Sequence, residues 1–436
     1  MELLIKNATI LTADDDRPLI QKGYIGIDGG KIVYLSDVPP LTKVCREKDA
    51  GGRIVMPGLV NAHTHVSMSS MRGWADDYAL QDWLFNYIFP VEGRHNPDTI
   101  YVSAMLGIAE MIRFGTVSIT DMYMQIPFVA QAAMEAGIYA NISNGATCFD
   151  AEHYDFATDN VTRQMEEMLE KYHGADQGRI RLDASIHAEY TSFPKLWRAN
   201  ADFAQKHGLN MHVHLSETAK EHEECKARYG GKTPAQVLAE QGVFDTRATA
   251  AHCVYVTEED MTLLAEKRVT VAHNPVSNLK LASGIAPVAK MLERGVNVAL
   301  GTDGVASNNN HDLFEEMKLA ALLQKGVSGD PTLLPAHEAL KMATRGGAFA
   351  QGREKEIGML KVGYDASLIM LDTDAAHLQP VHDPLSTAVY SARGFDVCMT
   401  MVRGKVLYED GAFHTIDLAR IRHALKDRVM PVLFQA

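Results

Sequence analysis

The spacing of apolar positions changes character twice along the chain. Residues 1–55 carry short runs bounded by turn residues. LLIKNATILT is rich in β-branched residues, and GYIGIDGGKIVYLS alternates around Asp28-Gly29-Gly30. Alternation places every second side chain on one face, which is the strand period. The Asp-Gly-Gly step supplies the positive φ angles of a tight hairpin turn. Residues 364–415 repeat this style, with ASLIMLD followed by CMTMVRGKVLYEDG and a turn at Arg403-Gly404.

The middle of the chain reads differently. Apolar or β-branched runs fall near 58–65, 116–122, 138–145, 179–187, 210–215, 248–254, 268–273 and 296–302. Helical segments separate them: Pro97–Phe114, Ile126–Ala136, Phe193–His207, Thr257–Lys267, Pro287–Arg294 and Leu313–Gln324. Thr257 with Asp260 three residues on is close to a capping box, so a helix starts there. Eight strands alternating with helices predict an α/β fold built on a (β/α)8 TIM barrel over residues 56–354. A small β-sandwich-like domain is expected from both termini, residues 1–55 and 355–436, the latter with a C-terminal helix. A doubly wound sheet is the second reading, but no G-x-G-x-x-G follows an early strand.

Candidate chemistry gathers at the ends of these strands. The first run ends in Asn61-Ala-His63-Thr64-His65, and residues i and i+2 of a strand share a face. His63 and His65 then point inward at the C-terminal end, where barrel active sites lie. The fifth run ends in His212-Val-His214-Leu-Ser-Glu217, the sixth in His252-Cys253, and the eighth in Thr302-Asp303-Gly304. One such histidine would read as a satisfied core residue. Five ligand-type residues on four strand ends do not, because buried imidazoles and a carboxylate converging without a partner are costly.

Composition narrows the setting. The 436 residues are 46% hydrophobic and 22% charged, ordinary for a globular chain, and include 18 histidines. Five cysteines without a C-x-x-C suggest neither a disulfide framework nor a thiolate metal site. A net charge of −13 disfavours nucleic acid and anionic membranes as partners. No apolar run is long enough to span a bilayer. The opening MELLIKNATILTADDD lacks a basic segment followed by a long apolar stretch, so a cytoplasmic location is expected.

The runs PGLVNAHTH, HVHLSET, AAHCVYV, HNPVSNLKLASGIAP and LGTDGVASNN, in this order and at barrel spacing, resemble the amidohydrolase superfamily. Within it the chain is similar to the 5′-methylthioadenosine/S-adenosylhomocysteine deaminase group, near the triazine hydrolases and guanine-type deaminases. The resemblance implies His63, His65, His214 and Asp303 as ligands of one divalent transition metal. Zinc comes first, with iron, nickel and manganese as alternatives. It implies catalytic roles for Glu217, His252 and Asp303, with Glu217 also contacting substrate. His187 would contact the base and Glu92 the ribose hydroxyls, and Trp83 would wall the pocket. The fourth run, Arg179–His187, has no lysine that could be carbamylated to bridge a second metal.

The expected reaction is hydrolytic deamination of an adenosine-type nucleoside, releasing ammonia and an inosine-type product in purine salvage. 5′-Methylthioadenosine, 5′-deoxyadenosine and adenosine suit the sequence. S-Adenosylhomocysteine suits it less. The arginines that would hold its carboxylate are missing: Asn144 stands at the first position, and Ala146–Asn160 holds no Arg or Lys. Glu189 also departs from the usual His-x-Pro-Tyr pattern. The alternative is a deaminase or dechlorinase of another heterocycle, such as guanine, a pterin or a triazine. A third reading, a non-catalytic scaffold, requires lost ligand positions, and here all four are filled. A zinc deaminase of the H-x-E/P-C-x-x-C type is excluded, since no P-C-x-x-C occurs. The expected partner is a small-molecule substrate, with no nucleic acid and no membrane. This architecture often forms homodimers or higher homo-oligomers.

Overall fold

The computed structural model describes residues 1–434. Strands from both ends of the chain join one mixed nine-stranded sheet. Leu3–Leu11 pairs antiparallel with Leu19–Asp28 and parallel with Arg46–Asp49 and Ile54–Pro57. Ile54–Pro57 in turn pairs antiparallel with Leu368–Leu371 from the far end of the sequence. The two turns read from the sequence have the required backbone: Gly29 and Gly30 lie at φ +55° and +77°, Arg403 and Gly404 at +48° and +75°.

The middle segment forms parallel strands in chain order. Leu59–Thr64, Thr116–Met122, Tyr139–Ser143 and Ile180–Leu182 make one four-stranded sheet. Ala184–Ser185, Met211–Leu215, Ala248–His252, Thr270–His273 and Asn297–Leu300 make a five-stranded one. The fourth expected run is thus divided at Asp183. The cause is polar: Asp183 takes hydrogen bonds from Asn141 and Asn210 inside the protein. Asp183 N–H still bonds Ile142 O, so the chain passes from one sheet to the other without losing its pairing.

The last strand returns to the first through the loop that follows it. Asp303 N–H donates to His63 O at 3.0 Å, and Thr302 N–H to Asn61 Oδ1 at 3.1 Å. Gly301 is required there, because a Cβ would lie 2.8 Å from His63 O and 2.9 Å from His63 Cβ.

Helices fill the connections where the apolar spacing placed them. Pro97–Arg113 begins at an Asn96–Thr99 capping box with Pro97 in the first turn. Glu258–Glu266 carries the expected Thr257–Asp260 box. Leu313–Ser328 runs one turn beyond the predicted end and stops at Gly329, where φ is +70°. Helices Asn160–Lys171, Ala219–Arg228 and Pro234–Glu240 add to those predicted. Among the described residues no helix is long and apolar enough to cross a membrane.

Candidate active site

The C-terminal ends of the parallel strands open into a cavity of about 440 Å³. His65, His187, His214, Glu217, His252 and Asp303 all line it. His63 is fully buried behind them, its ring centroid 4.9 Å from that of His65 and 4.8 Å from that of His214.

Backbone geometry aims these groups. Ser216, His252, Cys253 and Asp303 lie in the left-handed region, with φ of +48°, +72°, +49° and +59°. Non-glycine residues there are strained by about 1–3 kcal/mol each unless their surroundings hold them. Ser216 and Glu217 are held by Glu221, whose two carboxylate oxygens accept their backbone N–H groups at 2.8 and 2.7 Å. Asp303 is held by the Thr64 hydroxyl on its carbonyl and by the Gly304 N–H on its own Oδ1.

The imidazoles are fixed from behind. His65 Nδ1 bonds Met122 O, and His214 Nδ1 bonds His187 O at 2.7 Å. A carbonyl can only accept, so each Nδ1 carries a proton, and in the neutral ring that binds a metal each Nε2 is then a bare lone pair. Those two Nε2 atoms are 3.2 Å apart. His63 Nδ1 meets His212 Nε2 at 2.9 Å, while its Nε2 has no hydrogen-bond partner. Asp303 Oδ1 is 3.4 Å from His63 Nε2 and 3.2 Å from His65 Nε2. Facing lone pairs, an orphaned buried nitrogen and a carboxylate form a donor set that a small divalent cation satisfies. His63, His65 and Asp303 have ligand atoms within 4.8 Å of one another, as do His63, His214 and His252.

Charge follows from burial. Burial holds the His63 imidazole down at about 4 and the His187 ring at about 3, so both are neutral. Burial works against charge on both His65 and Asp303, yet the carboxylate raises the His65 ring to about 9 and the His63 and His65 rings hold Asp303 well below the usual range, so a positive charge, proton or metal ion, belongs between them. Burial also raises the Glu217 carboxyl from its ordinary value. His252 Nδ1 lies 2.9 Å from Asn278 Oδ1 and 3.3 Å from Asn274 Nδ2, and its Nε2 lies 3.8 Å from Glu217 Oε2.

The remaining expected contacts also face the cavity. Glu92 lines it beside Tyr123, and burial raises the Glu92 carboxyl. Trp83 is both cavity wall and core, 6% exposed. His187 lines the cavity, its Nδ1 3.1 Å from the Thr191 hydroxyl. Asn144 lines it too and spends its amide N–H on Val161 O. No Arg or Lys is among the lining residues. Glu189 is turned instead toward Arg228, with which it forms an ion pair.

Several residues of the site were given no role by the sequence. His212, Glu221, Ser277, Asn278 and Ser307 touch the histidines, Asp303 or the Glu217 turn without lining the cavity themselves. Ser277, Asn278 and Ser307 sit inside the HNPVSNLKL and LGTDGVASNN runs, so those motifs marked the place without showing the roles.

The sequence pattern of the amidohydrolase family matches residues 54–407. The chain belongs to this family. The family and its solved members carry the TIM-barrel fold. Among relatives of this amidohydrolase, a protein from Acetivibrio thermocellus named 5-methylthioadenosine/S-adenosylhomocysteine deaminase is 43% identical over 436 residues, covering 99% of this chain and 100% of the relative. A 5′-deoxyadenosine deaminase from Methanosarcina mazei is 43% identical over 422 residues, 96% of each chain. The structure of an adenosine deaminase from Xanthomonas campestris with bound zinc superimposes with a TM-score of 0.92 at 32% identity, covering 98% of both chains.

Proposed function

We propose that this amidohydrolase is a metal-dependent hydrolytic deaminase of adenosine-type nucleosides. The observation that carries the reading is the convergence of bare imidazole nitrogens, a carboxylate and Glu217 on one cavity. Relatives named for adenosine-type nucleosides, similar over nearly the full chain, support the same reaction. Residues 56–354 form the catalytic barrel, and residues 1–55 with 355–436 form the sandwich-like β domain and its C-terminal helix.

His63, His65, His214 and Asp303 would hold one divalent ion, and the zinc in a similar solved structure favours zinc. When bound, such an ion supplies a Lewis acid that lowers the pKa of a water toward ~7. Asp303 accepts the proton of the attacking water, and His252, its Nε2 facing the cavity, orients the nucleophile. Attack at the amino-bearing ring carbon moves charge to the neighbouring ring nitrogen. Glu217, its carboxyl raised by burial, is the group placed to donate a proton there. Loss of ammonia completes the conversion. Glu92 receives the ribose hydroxyls, His187 the base, and Trp83 closes the apolar wall.

The 5′-substituent is uncharged in this reading, as in 5′-methylthioadenosine, 5′-deoxyadenosine or adenosine. Asn144 has no cation to offer, and Glu189 faces away. Ammonia release is the test, measured with these nucleosides, S-adenosylhomocysteine, guanine and a chlorotriazine. Release from the three nucleosides supports the reading, and turnover of only guanine or the triazine replaces it. The substrate is a small molecule, and no nucleic acid or membrane is required. A homo-oligomer and a cytoplasmic location fit this function.

A further inference from the structure

Asp303 is gripped unequally at its two oxygens. Oδ2 accepts the hydroxyl of Ser277 at 2.6 Å and that of Ser307 at 2.9 Å. The two hydroxyls come from different segments, the helix Pro275–Lys280 and the turn Val305–Asn308. They lie 3.0 Å apart, and both serines are buried, at 0% and 1% exposure. Each serine has one proton to give, and both given to Oδ2 fill its two lone-pair directions; Ser307 turning to its other acceptor, Gly304 O at 3.0 Å, opens one of them for a proton from water. Oδ1 accepts only the Gly304 N–H, at 2.8 Å, and otherwise faces the Nε2 atoms of His63 and His65.

We propose that Ser277 and Ser307 are positioning residues: a paired hydroxyl clamp on Asp303 Oδ2 that presents Oδ1 alone to the metal held by the histidines. The inference rests on the assignment of Asp303 as a metal ligand. Two consequences follow. Asp303 binds through one oxygen, which leaves no carboxylate oxygen to bridge a second ion. The clamp also fixes the carboxylate plane against rotation, so a lost hydroxyl loosens the grip on the metal even though neither serine touches it. Removing one donor also leaves a buried charged oxygen short of a partner, which is costly.

Zinc alone is the probe, titrated into the metal-free full-length chain against a chromogenic chelator. S277A and S307A are each expected to bind zinc about 10–100-fold more weakly than the wild type, the usual range for groups behind a metal ligand. The double variant should be weaker still, and all should bind at most one zinc per chain. S103A, which removes a buried hydroxyl far along the helix Pro97–Arg113, should bind as the wild type does. The two single variants each test the clamp, so misfolding of one leaves the other decisive. Wild-type zinc affinity in folded S277A and S307A overturns the proposal, as does binding of two zinc ions by the wild type. No substrate enters this titration. Weakened zinc binding in a chain that deaminates no nucleoside would refute the proposed function and leave the clamp standing.

Discussion

The Nε2 atoms of His65 and His214 face each other at 3.2 Å, each ring anchored through Nδ1 to a backbone carbonyl, Met122 O and His187 O. Neither nitrogen can donate to the other while both rings are neutral with the proton on Nδ1. A cation between them removes the conflict. His214→Ala is therefore expected to lose bound metal, read as metal per chain by elemental analysis. Full metal content with unchanged turnover would show that the ligands lie elsewhere.

Glu217 stands apart from the metal question. Its carboxyl lies 3.8 Å from His252 and is raised by burial. Glu217→Gln keeps the shape and removes the transferable proton. The metal should stay at full content, and turnover should fall by about 10²–10⁴-fold, the usual worth of positioned acid–base help. A variant within a few-fold of wild type would mean that another group delivers the proton.

These two predictions rest on features of unequal legibility. The histidines could be read from sequence because i and i+2 spacing on a strand fixes a shared face, and His63 and His65 do meet. The eight runs were legible because parallel strands buried on both faces leave continuous apolar stretches. What holds the histidines was hidden. Met122 O and His187 O are main-chain atoms, and a carbonyl has no residue signature. The left-handed turns at Ser216, His252 and Asp303 were equally silent, since none of these residues is a glycine. Ser277 and Ser307 are ordinary residues whose meaning comes only from meeting at one oxygen of Asp303. The division of the fourth run at Asp183 depended on partners 42 and 27 positions away, Asn141 and Asn210.

The cavity wall bears on substrate choice. It has no Arg or Lys, and Asn144 directs its amide N–H to Val161 O. An amino-acid carboxylate entering this wall forfeits a charge-assisted hydrogen bond worth about 1.5–3 kcal/mol. That is roughly a tenfold to hundredfold loss. kcat/KM for 5′-methylthioadenosine should exceed that for S-adenosylhomocysteine by at least this factor. Equal values in a competition assay would point to a cation reaching the site from elsewhere.

Glu189 gives a pH signature of stability. Burial raises its carboxyl to about 7, with Arg228 opposing the shift. The folded state then binds more protons than the unfolded one between the ordinary glutamate value, about 4.3, and the raised one. Stability contributed by this group is present below that window and falls as pH rises through it. Glu189→Gln removes the titration. Urea unfolding at pH 5 and pH 7.5 should show the wild type losing stability relative to the variant as pH rises. A difference that is constant, or that grows in favour of the wild type, contradicts the assignment.

In the proposed reaction, water replaces an amino group on the base of an adenosine-type nucleoside at this cluster of histidines. Its most direct test is turnover of 5′-methylthioadenosine, 5′-deoxyadenosine and adenosine by the zinc-loaded chain in ¹⁸O-water, with product mass and ammonia measured together. One ammonia per turnover and an inosine-type product carrying the label on the purine ring are expected. Unchanged nucleosides, or release of a free base with no ammonia, would contradict it.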